Sequence, residues 1–198
     1  MAPTHRFGQE KLTAPAAPEL ARRLADVLGS AGVPYAVGGA LALGVWGFPR
    51  ATNDVDLDIF VTAQALGPVL DILERAGFAV DVTAAESSAR ERGDFKIIAE
   101  GMRVDVFVSS IPLYDDVRRR IREAPLEGRP AWFLAPEDLA IFKLLFFRAK
   151  DLLDVERLVG FLGQDFDRTY VRRWLVQLVG ADDERVGRWD QLISTIGA

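Results

Sequence analysis

The sequence contains no cysteine and one histidine, His5. The first absence excludes a disulfide framework, thiol catalysis and thiolate metal sites. The second leaves little room for a histidine triad, a histidine-ligated zinc centre or a histidine general base. No apolar run approaches the roughly 20 residues that span a bilayer. Residues 1–11 lack the apolar centre of an export signal, so the expectation is a cytoplasmic protein with no membrane partner. The net charge of -5 supplies no global cationic field for nucleic acid. Lysine is scarce beside arginine. The densest basic run, Arg118, Arg119, Arg120 and Arg122, reads most simply as a solvated helix face. An enzyme built from this set must work with carboxylates, lysine, arginine and a hard cation.

What is present is an ordinary globular composition, 49% hydrophobic and 27% charged over 198 residues. That length accommodates one α/β core with a helical appendage. The Ala/Pro-rich start suggests a flexible leader over 1–18. Apolar stripes at helical spacing predict helices over 19–31, 40–46, 63–76 (capped by Thr62) and 112–123. Strands are expected over 35–37, 54–61, 78–82, 95–99, 102–108 and 131–134, with 86–93 as a polar connection. Glu100-Gly101 is short enough for a hairpin turn. From Pro136 onward the pattern stays helical, over 136–148, 151–162, 168–179 and 183–196. The expected fold class is therefore α+β: a small mixed β-sheet with flanking helices over 19–134, then a helical subdomain over 135–198.

The informative stretch is Gly38-Gly39 followed by Asp54-Val55-Asp56-Leu57. Strand residues two apart share a face, so Asp54 and Asp56 present adjacent carboxylates while Val55, Leu57 and Ile59 point the other way. Like charges this close oppose folding unless a proton or cation intervenes. Mg2+ takes oxygen ligands, commonly one or two carboxylates plus substrate phosphates. Asp105 is the lone acid of a second alternating strand. If the two strands are neighbours it adds a third carboxylate, and three acids can hold the two ions used in phosphoryl transfer. A strand ending in Gly-Gly and opening a helix lets backbone N–H groups approach a phosphate. The plainer alternative is a solvated edge-strand face with Asp105 paired to Arg103. Asp56-Leu57-Asp58 also matches the carboxylate pair, so the residues alone leave the metal register open.

Lys143 lies among large apolar neighbours and needs a phosphate or carboxylate partner if buried; otherwise it snorkels at a helix edge. Asp151 reads as a substrate contact or as a helix cap, and Asp154 as a first-turn acid pairing with Arg157. Arg50 is placed to contact a triphosphate. Arg148 and Lys150 form either a phosphate clamp or a solvated turn.

Tyr35-Ala-Val-Gly-Gly-Ala-Leu-Ala-Leu and the run from Trp46 through Arg50-Ala-Thr52-Asn-Asp54-Val-Asp56-Leu resemble the nucleotidyltransferase superfamily that includes DNA polymerase beta. More narrowly, they resemble the AbiEii/AbiGii-type toxin nucleotidyltransferases. In that group an Arg-x-Thr element, here Arg50 and Thr52, precedes Asp-hydrophobic-Asp, which selects Asp54 and Asp56. Pro136-Glu-Asp-Leu-Ala-Ile-Phe-Lys143 and Arg148-Ala-Lys-Asp151-Leu-Leu-Asp154 resemble the group's downstream motifs. The resemblance covers about residues 33–160, and Asp58 departs from it where an apolar residue is usual. It implies Mg2+, with Mn2+ as a substitute, held by Asp54, Asp56 and Asp105. It also implies nucleotide contacts from Gly38, Gly39 and Lys143, to which Arg50, Thr52 and Asp151 are added as nucleotide-binding candidates. The implied reaction is NMP transfer from an NTP to an acceptor hydroxyl of tRNA or protein, with a cognate antitoxin as partner. A small-molecule, antibiotic-type acceptor is the alternative. A non-catalytic nucleotide- or partner-binding module and a metal-dependent phosphoesterase are the rivals from other classes.

Overall fold

The computed structural model describes residues 17–196. The expected leader, apart from Ala17 and Pro18, and His5 lie outside them. Helix α1 (Ala17–Ser30) buries Leu20, Leu24 and Leu28, one residue per turn on a single stripe. It closes where Val33 N–H reaches the Leu28 carbonyl. Strand β1 (Tyr35–Val37) then runs into α2 (Gly39–Val45). Strand β2 (Asp54–Ile59) buries Val55, Leu57 and Ile59, as strict alternation requires. A 3-10 turn at Ala63–Ala65 precedes α3 (Gly67–Arg75), so the expected helix over 63–76 starts late. Thr62 does not cap it through its side chain.

Two stretches depart from expectation. The region 78–82 is not a strand, and 86–93 is not a loop; together they hold helix α4 (Val82–Arg92). Asp81 caps α4 by accepting from the Ala84 N–H at 3.0 Å. Its buried residues are Ala85 and Ala89, four apart, so small side chains carry the face that large apolar residues usually advertise. Strands β3 (Asp94–Ala99) and β4 (Met102–Val108) form the expected hairpin, with Glu100 and Gly101 both at positive φ.

The second correction follows α5 (Leu113–Arg120), which ends before 123 because Ile121 turns extended at φ -51, ψ 144. Strand β5 (Arg122–Leu126) follows and pairs with β6 (Arg129–Phe133) through Glu127-Gly128, a second two-residue turn at positive φ. Pro125 survives in β5 because that strand is the sheet edge. Helices α6 (Pro136–Phe146), α7 (Ala149–Leu162), α8 (Arg168–Val179) and α9 (Glu184–Ile196) complete the chain.

The sheet order is β3-β4-β2-β1-β6-β5. β2 runs parallel to β4 and antiparallel to β1, and β1 is parallel to β6, so the sheet is mixed. The apolar cluster runs continuously from α1 through the sheet into α6–α9. α6 packs on α2, α7 and α8, which brings the helical segment against the strand end that carries the acids. Among the described residues, no helix is long and apolar enough to cross a membrane.

Candidate active site

The β2–β4 register decides the site. Asp56 pairs with Asp105, and Asp54 with Arg103. Neighbouring strands lie about 4.8 Å apart, so the third acid stands on the strand beside the first two. The cleft over them has a volume of about 500 Å³. Every expected site residue except Gly38 lines it.

The two glycines divide their labour. Gly38 donates its N–H to the Asp56 carbonyl at 2.9 Å and accepts from Ala42 at 3.0 Å, so its amide is spent inside the fold. Gly39 opens α2 at φ +55, and a Cβ there would fall 1.7 Å from Asp56 Oδ2. Only glycine leaves the Asp56 carboxylate its place.

Each acid has its own environment. Partial burial works to raise the Asp54 pKa, but the Thr52 hydroxyl and the charges of Arg103 and Lys150 outweigh it and hold the group below the ordinary value. The expected Arg-x-Thr element thus acts through Thr52 on Asp54. Asp56 is pushed up to about 6, first by burial and then by repulsion from Asp54 and Asp105. Asp58 is only 3% exposed and accepts from the Tyr114 hydroxyl at 3.1 Å. Burial pushes it up to about 8, and it lines the same cleft as Asp54 and Asp56. Asp105 Oδ2 is ion-paired with Arg103 Nε at 3.0 Å, while its Oδ1 is buried without a hydrogen bond. Lys96 Nζ, at 4.0 Å from that oxygen, is too distant to satisfy it.

The acids suit a hard cation, on two observations. A buried carboxylate oxygen has no partner, and a neighbouring carboxyl is pushed up by burial and then by two like charges. Carboxylate oxygens are the donor type that Mg2+ takes. Among the described residues, however, no three acids are already gathered in ligating geometry. Arg103 stands between two of them, its Nη2 2.9 Å from Asp54 Oδ2.

The opposite wall comes from α6 and α7. Lys143 is buried and donates to Asp154 at 2.7 Å, with Asp151 at 3.6 Å. Its partners are therefore α7 carboxylates rather than the β2–β4 acids. Asp154 does not take the expected partner Arg157; besides Lys143 it pairs with Arg50 at 3.5 Å. Asp151 is not the cap of α7, a position held by Arg148, but a first-turn acid bound to Arg148 and Lys143. Sequence reasoning missed the Arg103 bridge to Asp54, the Tyr114 bond to Asp58 and the Phe107–Phe146 ring pair at 5.9 Å on the cleft wall. The signal for the first was Arg103 two residues before Asp105, on the same strand face. Arg118, Arg119, Arg120 and Arg122 are absent from the lining, and Arg120 is tied to Glu137 and Asp138.

No protein-family model and no curated protein matches the sequence. Solved structures do match. The antibiotic-resistance factor ANT(2″)-Ia is 14% identical, with a TM-score of 0.60 over 81% of this chain and 91% of its own. The lincosamide antibiotic adenylyltransferase LnuA, solved with lincomycin bound, is 20% identical, with a TM-score of 0.51 over 75% and 99%. The chain has the nucleotidyltransferase fold. A nucleotidyltransferase-like protein from Paracoccidioides brasiliensis is similar over 87% of this chain and 92% of its own, at 19% identity and a TM-score of 0.50. Identities this low establish shared architecture, and the chemistry must be argued from the cleft.

Proposed function

We propose that this chain transfers a nucleoside monophosphate from an NTP to an acceptor hydroxyl, with pyrophosphate leaving, in a reaction that requires Mg2+ or Mn2+. The observation that carries this reading is the placement of Asp56 opposite Asp105, with Asp54 one step along β2 and Gly39 against the Asp56 carboxylate, all in one cleft. Asp54, Asp56 and Asp105 would hold the cation. Once bound, it would neutralise charge on the transferring phosphoryl group and polarise the acceptor. Arg50, Arg148 and Lys150 line the same cleft and supply positive charge for the triphosphate. Asp154 holds Lys143 and Arg50 together, orienting the nucleotide wall.

For the acceptor, the cleft supports a compact, ring-bearing hydroxylated molecule better than tRNA or protein. Phe107, Phe142 and Phe146 line it, and the Arg118–Arg122 run does not. The structural likeness to enzymes of antibiotic modification agrees with that reading. An AbiEii-like toxin role with an antitoxin partner rests on the sequence motifs alone. The test is incubation of the protein and Mg2+ with each α-phosphate-labelled NTP, separately with hydroxylated small molecules, total RNA and lysate protein. The reading expects label in an acceptor together with stoichiometric pyrophosphate. Release of inorganic phosphate with NDP, or of free NMP and pyrophosphate with no labelled acceptor, favours a phosphoesterase, and nucleotide binding without turnover favours a binding module.

A further inference from the structure

Arg103 and Asp105 are two residues apart on β4, so their side chains rise from one face. The register places Arg103 opposite Asp54 on β2. Its guanidinium uses both prongs: Nη2 donates to Asp54 Oδ2 at 2.9 Å, and Nε lies 3.0 Å from Asp105 Oδ2. One planar cation thus ties a carboxylate from each strand, a geometry that lysine could not reproduce. The side chain is 49% exposed, so packing does not confine it there; the paired charges do.

The oxygens left over are few. Asp54 Oδ1 accepts from the Thr52 hydroxyl. Asp105 Oδ1 is buried and unbonded. Among the described residues, the Asp56 carboxylate makes no hydrogen bond that would compete with a cation. This set suits one hard ion, which commonly takes one or two carboxylates and fills its remaining positions with phosphates and water. A pair of ions about 3.5–4 Å apart would need the oxygens that Arg103 holds. Three carboxylates, one guanidinium and one divalent ion sum to neutrality before nucleotide enters. A second divalent ion would place two more positive charges beside the guanidinium.

We infer that Arg103 is the second cation of this centre, so that the protein takes one divalent ion where three acids would otherwise accommodate two. The inference rests on the metal-dependent reading above and revises the two-ion expectation drawn from the acids alone. Arg103 is then a built-in counter-ion that keeps Asp54 and Asp105 parallel and spaced.

The test is a Mn2+ titration followed by electron paramagnetic resonance on the full chain with one equivalent of α,β-methylene-ATP. Wild type, R103Q and D56N are compared. Wild type is expected to take up one Mn2+ per chain and R103Q two, with the second ion bound at least about ten-fold more tightly than any second ion in wild type. NMR of wild type should show the Arg103 Nη2–H that bonds Asp54 still protected from exchange after Mg2+ and nucleotide are added. Two ions in wild type, one ion in R103Q, or loss of that protection overturns the inference. Retained binding in D56N equal to wild type overturns the metal reading itself, and so does no binding in any variant. R103Q changes a half-exposed side chain, and its thermal unfolding verifies that it folds.

Discussion

Asp56 on β2 and Asp138 on α6 are both carboxyls pushed up to about 6, in opposite surroundings. Burial is the main cause in each. Around Asp138, the chain supplies its own compensation. The Tyr170 hydroxyl donates at 2.6 Å, Arg120 Nε lies at 3.3 Å, and neighbouring Glu137 takes Arg120 Nη2 at 2.7 Å. That cluster ties α5, α6 and α8 together, and nothing in it faces the cleft. Around Asp56, the next largest influences are two more acids, and one of those has a buried oxygen with no partner. A buried charge completed by its own fold is structural. A group of acids left incomplete beside a cleft is arranged for something that arrives from outside.

The largest expected effect breaks the comparison if it fails. D56N should lower nucleotidyl transfer by at least about 10³-fold, the scale of losing a central electrostatic contact. Because one of three repelling charges is gone, its melting temperature should equal or exceed that of wild type. G39A should lower transfer about 100-fold, the cost of misplacing a reacting group by an ångström, because its Cβ would occupy the Asp56 carboxylate position. Its stability should fall by only about 1–2 kcal/mol, the penalty for a side chain in left-handed backbone.

D138N sharpens the contrast through pH. The folded pKa lies above the ordinary 3.8, so the folded state binds the proton more tightly than the unfolded state. This group's stabilising contribution is complete below pH 3.8 and is lost as pH rises through about 6. D138N removes that loss. Its stability relative to wild type should therefore climb between those two pH values, by up to roughly 3 kcal/mol, with transfer activity unchanged. Denaturant melts across the pH range measure it. The smallest effect belongs to D58N, which keeps an acceptor for Tyr114 and should change kcat/KM by no more than about three-fold. A loss as deep as that of D56N would move the metal pair to Asp56 and Asp58.

Much of the site was legible because its signals are local. Alternation in Asp54–Ile59 and Met102–Val108 is a one-strand property, and each strand formed where its pattern lies. The Glu100-Gly101 turn was readable because clear strands flank it. Glu127-Gly128 makes the same turn, but Pro125 and Pro130 beside it masked the strands, since proline is a poor strand former. Helix α4 escaped because alanines carry its buried face. The Arg103–Asp54 bridge joins residues far apart in the chain, and no pattern within one strand encodes which strand will lie beside it. The same limit hid Tyr114 beneath Asp58 and Asp154 beside Lys143.

The most direct measurement is isothermal titration of Mg2+ with α,β-methylene-ATP into wild type and D56N. If the β2–β4 acids exist to receive a cation and its nucleotide, wild type binds only when Mg2+ is present and D56N binds at least ten-fold more weakly, a difference of about 1.4 kcal/mol. Equal affinity in the two proteins, or binding that ignores Mg2+, would contradict the account.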